Sequence, residues 1–143
     1  MRTRSDTLID AGPLVAVLNR NDDYYAACLG LFRTLNTPFY TTMPVLGEAM
    51  YLLGKRVGST AQGGLWKLVL NGDLIVEHPS STDLARMSEL MSKYDDCPMD
   101  FADASLVALA EQLSLTRIFT VDRRDFSTYR LQGKKAFTIL GPV

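Results

Sequence analysis

Thr7-Leu8-Ile9-Asp10-Ala11-Gly12-Pro13-Leu14-Val15-Ala16-Val17-Leu18 joins two short apolar runs through a carboxylate and a Gly-Pro pair. Thr7-Leu8-Ile9 is too short for a helix and reads as a buried strand that ends at Asp10. Gly12-Pro13 reads as a turn, after which Leu14 to Leu18 start a short apolar helix. The same alternation recurs. Phe39-Tyr40-Thr41, Leu74-Ile75-Val76, Arg117-Ile118-Phe119-Thr120-Val121 and Ala136-Phe137-Thr138-Ile139-Leu140 read as further strands. Between them lie segments of helical period. Asp22 or Asp23 caps the first, which carries Tyr24, Cys28, Leu31, Phe32 and Leu35. Thr42 caps the next, with Pro44 in its first turn and Lys55-Arg56 at its end. Ser59 opens a third, closed by Asn71-Gly72, and Ser81 or Asp83 opens a fourth. Asp100 caps the last, whose apolar face is Leu106, Val107, Leu109, Ala110 and Leu113. Short apolar strands alternating with helices predict an α/β fold: a central parallel sheet of about five short strands with helices on both faces. In such sheets ligands bind beyond the carboxyl ends of the strands, where Asp10 and Asp122 fall.

With 143 residues the chain has room for one domain, spanning 1–143, and 47% apolar residues suffice for a core. No run approaches the roughly 18 uncharged apolar residues of a membrane span. Met1-Arg2-Thr3-Arg4-Ser5-Asp6 has no apolar stretch behind its arginines, so neither an anchor nor a secretory leader is expected. A formal charge of −1 argues against bulk electrostatic binding of nucleic acid. Cys28 and Cys97 stand alone, without a Cys-x-x-Cys spacing, and read as reduced thiols of a cytoplasmic protein. Twelve of the sixteen acids are Asp, a residue of caps, turns and metal sites.

Each acid has an ordinary explanation. Asp10 and Asp100 can cap helices, Asp122 can make a turn, Asp103 suits a helix N-terminus, and Glu48 can be a solvated helix residue. Glu48, however, sits among Val45, Leu46, Ala49 and Met50, at the edge of an apolar face. Asp100 and Asp103 share one helix face. If these elements converge where Asp10 and Asp122 lie, several carboxylates enter one cleft, which a divalent cation would have to hold together. An all-oxygen donor set suits Mg²⁺ or Mn²⁺ rather than zinc, and such sites activate water against phosphodiesters.

Leu8-Ile9-Asp10-Ala11-Gly12-Pro13-Leu14, Pro44-Val45-Leu46-Gly47-Glu48-Ala49, Asp100-Phe101-Ala102-Asp103-Ala104 and Thr120-Val121-Asp122-Arg123-Arg124-Asp125-Phe126 together resemble, in order and spacing, the acidic motifs of the PIN-domain family. Among its members the chain looks most like the VapC-like toxin ribonucleases of toxin–antitoxin pairs. The resemblance implies a magnesium-dependent endoribonuclease that cuts RNA, with a cognate antitoxin and a homodimeric state. It implies Asp10, Glu48, Asp103 and Asp122 as the metal-holding acids, with Thr120 as a supporting hydroxyl. Asp100 matches a position that is acidic only in some members. Ala11-Gly12-Pro13 departs from the commoner Thr or Ser after the first Asp, which removes a hydroxyl but no ligand.

Other signals are weaker. Gly47 to Lys55 misses the P-loop pattern. His78, the single histidine, lies in the turn-like Glu77-His78-Pro79-Ser80 and reads as an exposed loop residue. Arg123 and Arg124 can meet phosphates or simply solvate a turn. Tyr51, Leu52 and Trp66 offer apolar surface for a symmetric dimer. Two alternatives stay open: a catalytically silent PIN-like protein-binding module, and a metal-dependent phosphatase on a similar α/β fold.

Overall fold

Strands form at short runs rich in aromatic and β-branched residues: β1 (Thr7–Ile9), β2 (Phe39–Thr42), β3 (Leu74–Glu77), β4 (Arg117–Phe119) and β5 (Thr138–Leu140). The computed structural model describes residues 6–142. Met1–Ser5, where the sequence predicts no leader, and Val143 lie outside the described residues. The strands make one five-stranded sheet in the order β3-β2-β1-β4-β5, with every neighbouring pair parallel. Each parallel pair needs a crossover. These are supplied by α1 (Ala11–Val17) and α2 (Tyr25–Thr34), α3 (Met43–Arg56) and α4 (Ser59–Leu70), α5 (Ser81–Lys93) and α6 (Phe101–Leu113), and α7 (Arg123–Thr128). The crossovers reverse direction after β3, so the helices divide between the two faces. A 3-10 turn at Gln132–Lys134 precedes β5.

Burial follows the pattern. Leu8, Ile9, Phe39, Ile118 and Phe119 are fully buried, and the Phe39 and Phe119 rings meet edge-on at 6.1 Å. Helix α6 is buried from Ala102 through Ala110, so it is a core helix rather than a surface one. No helix among the described residues is long and apolar enough to cross a membrane.

Several sequence expectations shift. Gly12-Pro13 makes no turn: both residues lie in the first turn of α1, where a proline has no intrahelical hydrogen bond to lose. Gly12 lets Val121 pack close, because a Cβ there would fall 2.5 Å from its Cγ2. Neither Asp22 nor Asp23 caps α2. Asp22 instead accepts from the Tyr24 N–H at 2.9 Å in an Asx turn, and Tyr24 takes the N-cap position without a side-chain bond. Ser80 caps α5, in a reciprocal box with Asp83. β4 ends at Phe119 and β5 begins at Thr138, both shorter than predicted. After β4, Asp122-Arg123-Arg124-Asp125 starts the short helix α7, which its polar sequence did not announce.

Candidate functional site

The strand order reverses at β1 and β4, and the crevice beyond their carboxyl ends is where an open α/β sheet accepts a ligand. Ile9 is paired with Phe119, so the residues that follow, Asp10 and Thr120, leave the sheet side by side. The Asp10 N–H donates to the Phe119 carbonyl at 3.0 Å, and the Thr120 N–H to Leu140 at 2.9 Å. The Thr120 hydroxyl is fully buried and bridges the two strand ends. It donates to Asp10 Oδ2 at 3.0 Å and accepts from the Asp122 N–H at 2.9 Å. Asp10 Oδ1 accepts from the Ala11 N–H at 2.8 Å, capping α1.

The other acids arrive on helix N-termini. Asp100 caps α6, accepting from the Asp103 N–H at 2.8 Å, and Asp122 caps α7, accepting from the Asp125 N–H at 3.2 Å. Asp100 thus caps as its sequence context allows, Asp122 caps a helix where a turn was expected, and capping removes neither from the cleft. Asp103 is buried, and its Oδ2 accepts from the hydroxyl of fully buried Tyr129 at 2.9 Å. Glu48 projects from α3 at the edge of the face buried by Val45, Leu46 and Ala49, exposed as a residue but with its carboxyl partly desolvated. Thr42, which caps α3, shares a 2.6 Å hydrogen bond with Ser105 of α6 and so ties the helix of Glu48 to the helix of Asp103.

Electrostatics shows that these side chains share one field. Burial, opposed by the Ala11 and Thr120 hydrogen bonds and reinforced by Glu48 and Asp100, pushes the Asp10 carboxyl up to about 6. Burial and the charges of Asp10, Asp100 and Asp122, against the Tyr129 hydrogen bond, push Asp103 up to about 8. Glu48 is raised by burial and by Asp100, and Asp122 by burial and the neighbouring Asp125. Asp100 acts on all four. Among the described residues no cation is ion-paired to any of the five. The donor set is entirely oxygen, which fits Mg²⁺ or Mn²⁺. The acids ring the cleft without closing on a point: among the described residues no three ligating side chains form a ready-made metal cage.

Around this ring the remaining candidates separate. Arg123 turns to the chain end, donating to the carbonyls of Pro142 and Gly141 at 2.9 and 3.0 Å, while Arg124 is exposed. Gly141 has φ +152°, and a Cβ there would fall 1.9 Å from the Thr120 carbonyl oxygen, so only glycine lets β5 pass the Thr120 turn. His78 is exposed, as expected of a loop histidine. A depression of about 390 Å³ adjoins the cleft through Gly12 and Val121 and includes Tyr24, Leu52 and Arg56. Tyr129 and Asp125 were not singled out from sequence. A partner of Asp103 that lies 26 residues further on leaves no periodic signal.

The geometry agrees with what the chain is similar to. Ribonuclease VapC26 of Mycobacterium tuberculosis is 26% identical over 133 residues, covering 93% of this chain and 98% of the relative. Among solved structures, VapC20 of M. tuberculosis, described as a sarcin-ricin loop cleaving toxin, superposes with a TM-score of 0.83 at 20% identity, covering 95% of this chain and 99% of that one. A toxin–antitoxin complex from Klebsiella pneumoniae gives a TM-score of 0.65 at 16% identity, covering 96% and 98%. The PIN domain model matches residues 7–131, from the first residue of β1 to the segment just past Tyr129 and so across every acid of the cleft, and the chain belongs to the PIN domain family.

Proposed function

We propose that this chain is an endoribonuclease that hydrolyses RNA phosphodiesters with Mg²⁺ or Mn²⁺, and that it is the toxin of a type II toxin–antitoxin pair. The observation that carries the reading is the set of carboxylates at the β1/β4 switch point, raised by burial and mutual repulsion and left without a countercharge among the described residues. Cation-free acid clusters are unfavourable, and function is the usual reason one persists. The family membership and the ribonuclease and toxin names of the relatives support the same reading.

Asp10, Asp103, Glu48 and Asp122 would hold the metal, with Asp100 adding charge from its cap position. When bound, the ion would supply an oriented water of increased acidity and positive charge for the leaving oxygen. The chain's own part is orientation. Thr120 fixes one oxygen of Asp10 and the backbone of Asp122 together. The adjoining depression, lined by Arg56 together with Asp22 and Asp23, offers the exposed ring of Tyr24 to a base.

The same reading supplies partners and place. An antitoxin segment lies across the cleft and sets a basic side chain among the carboxylates. Tyr51 and Trp66, 64% and 50% exposed on α3 and α4, together with Leu52, form the face of a homodimer in the cytoplasm; a monomer by light scattering at micromolar concentration overturns the dimer. Incubating a structured RNA with the purified protein, with Mg²⁺ and with EDTA, tests the activity. Metal-dependent internal cleavage is expected. Cleavage indifferent to EDTA, or turnover of a small phosphomonoester without RNA cleavage, overturns it.

A further inference from the structure

We propose that Tyr129 is a positioning residue: its hydroxyl holds Asp103 Oδ2, so that Oδ1 is the oxygen presented to the cleft. This rests on the metal-dependent reading above. Tyr129 is fully buried at the C-terminal end of α7, and its backbone N–H donates to the Asp125 carbonyl at 3.1 Å. Its ring is wedged between Tyr94 and Phe126, with centroids 5.1 and 5.2 Å away. Tyr94 is itself anchored, its hydroxyl accepting from the Arg130 N–H at 2.8 Å. The ring therefore has no freedom to swing, and a buried phenol needs a partner. Asp103 Oδ2, 2.9 Å away, is that partner.

The other oxygen of Asp103 completes the argument. Every fully buried side-chain oxygen or nitrogen among the described residues has a hydrogen-bond partner. Asp103 Oδ1 has none and is therefore not fully enclosed, and the charges acting on Asp103 are those of the cleft acids Asp10, Asp100 and Asp122. A carboxylate free to rotate would expose either oxygen and average its contribution to an ion; one tethered through a rigid phenol does not. Such outer partners of a ligating carboxylate fix its orientation and govern metal affinity. Tyr129 touches neither ion nor RNA and acts through Asp103 alone.

Tyr129→Phe removes one oxygen and keeps the ring. Calorimetric titration of the folded protein with Mn²⁺ should show a dissociation constant weakened about 10- to 100-fold. The Mn²⁺ concentration for half-maximal RNA cleavage should rise by the same factor, with kcat recovered at saturating Mn²⁺. In the Asp103→Asn background Tyr129→Phe should change Mn²⁺ binding no further. Phe137→Leu loosens the same aromatic cluster one ring away from Tyr129, since Phe137 packs on Phe126 at 5.5 Å; it should lower the melting midpoint and leave Mn²⁺ binding at the wild-type value. Unchanged Mn²⁺ affinity in Tyr129→Phe overturns the inference, as does an equal loss in Phe137→Leu, which assigns the effect to packing. Wild-type protein that neither binds Mn²⁺ nor cleaves RNA overturns the functional reading and this inference with it. Wild-type activity with an indifferent Tyr129→Phe overturns only the latter.

Discussion

Helix α6 carries two shielded carboxylates at its opposite ends, Asp103 in the first turn and Glu111 in the last. Glu111 lies at the negative end of the helix, where an acid is disfavoured. It is nonetheless fully served: Arg86 forks onto its two oxygens at 2.8 and 3.0 Å, and the Gln132 N–H adds a third bond at 2.8 Å. Asp103 lies at the favourable end and has one neutral donor, Tyr129, with further acids around it. The difference separates two uses of charge. Where α5, α6 and the 3-10 turn must be fastened, the fold provides the countercharge itself. At the sheet crevice it withholds one, and the site stays receptive to a cation or a basic side chain from outside.

The contrast breaks outright if the two acids are interchangeable. Asp103→Asn, and equally Asp10→Asn, should lower RNA cleavage by roughly 10²–10⁴-fold, the loss that follows removal of an essential acid–base group. Glu111→Gln should leave the rate constant of the folded protein at the wild-type value. An Asp103→Asn protein with full activity removes it from the site.

Stability should move the other way. Arg86→Ala leaves Glu111 shielded and unpaired, and should cost about 2–3 kcal/mol, between the values for exposed and fully buried pairs. A urea midpoint measures it. A cost below about 0.5 kcal/mol would make the fork a surface ornament.

Metal sharpens the comparison. Mg²⁺ at a hundred times its dissociation constant should stabilise the wild-type fold by about 2.7 kcal/mol, because it binds only the native state. Arg86→Ala should gain the same increment from its lower base line, and Asp103→Asn clearly less. A wild-type melt indifferent to millimolar Mg²⁺ would contradict the reading of the crevice.

The smallest effect is that of Asp103→Asn on stability, and it depends on pH. An unfolded aspartate titrates near 3.8, whereas folded Asp10 and Asp103 are pushed up to about 6 and about 8. The metal-free folded chain therefore binds more protons than the unfolded one between pH 4 and 8, and its stability should fall as pH rises through that window. Asp103→Asn should flatten the slope and, at pH 8 in EDTA, match or exceed the wild type by about 0.5–2 kcal/mol. A loss of about 0.3–1 kcal/mol instead would mark Asp103 as a residue that merely suits the helix dipole.

Much of this was legible from the chain. The strands announced themselves because Leu8-Ile9, Leu74-Ile75-Val76 and Ile118-Phe119 are short apolar runs bounded by polar residues or breakers. The acids were legible because Asp10 and Asp122 follow strands and Asp100 opens a strongly apolar helix. Gly12-Pro13 misled because the pair signals a turn unless a capping side chain precedes it, and Asp10 is that cap. α7 was missed because six residues led by Arg123-Arg124-Asp125 show no apolar period. Glu48 was legible as an edge residue because Val45, Leu46 and Ala49 outline the buried face of α3 beside it. Tyr129 and the Arg86–Glu111 fork were out of reach, since contacts across 26 and 25 residues are set by packing alone.

One topological fact bears on how such a protein is made. β1 is a central strand, and its partner β4 is 110 residues away in the chain, Thr7 lying against Arg117. While a ribosome is still synthesising the segment before β4, Asp10 has neither Thr120 nor Asp122 beside it, and Asp103 has no Tyr129. Translation thus works as a time lock: Asp10, the earliest-made acid of the crevice, waits for β4, and the crevice between the two strand ends exists only once both have been made.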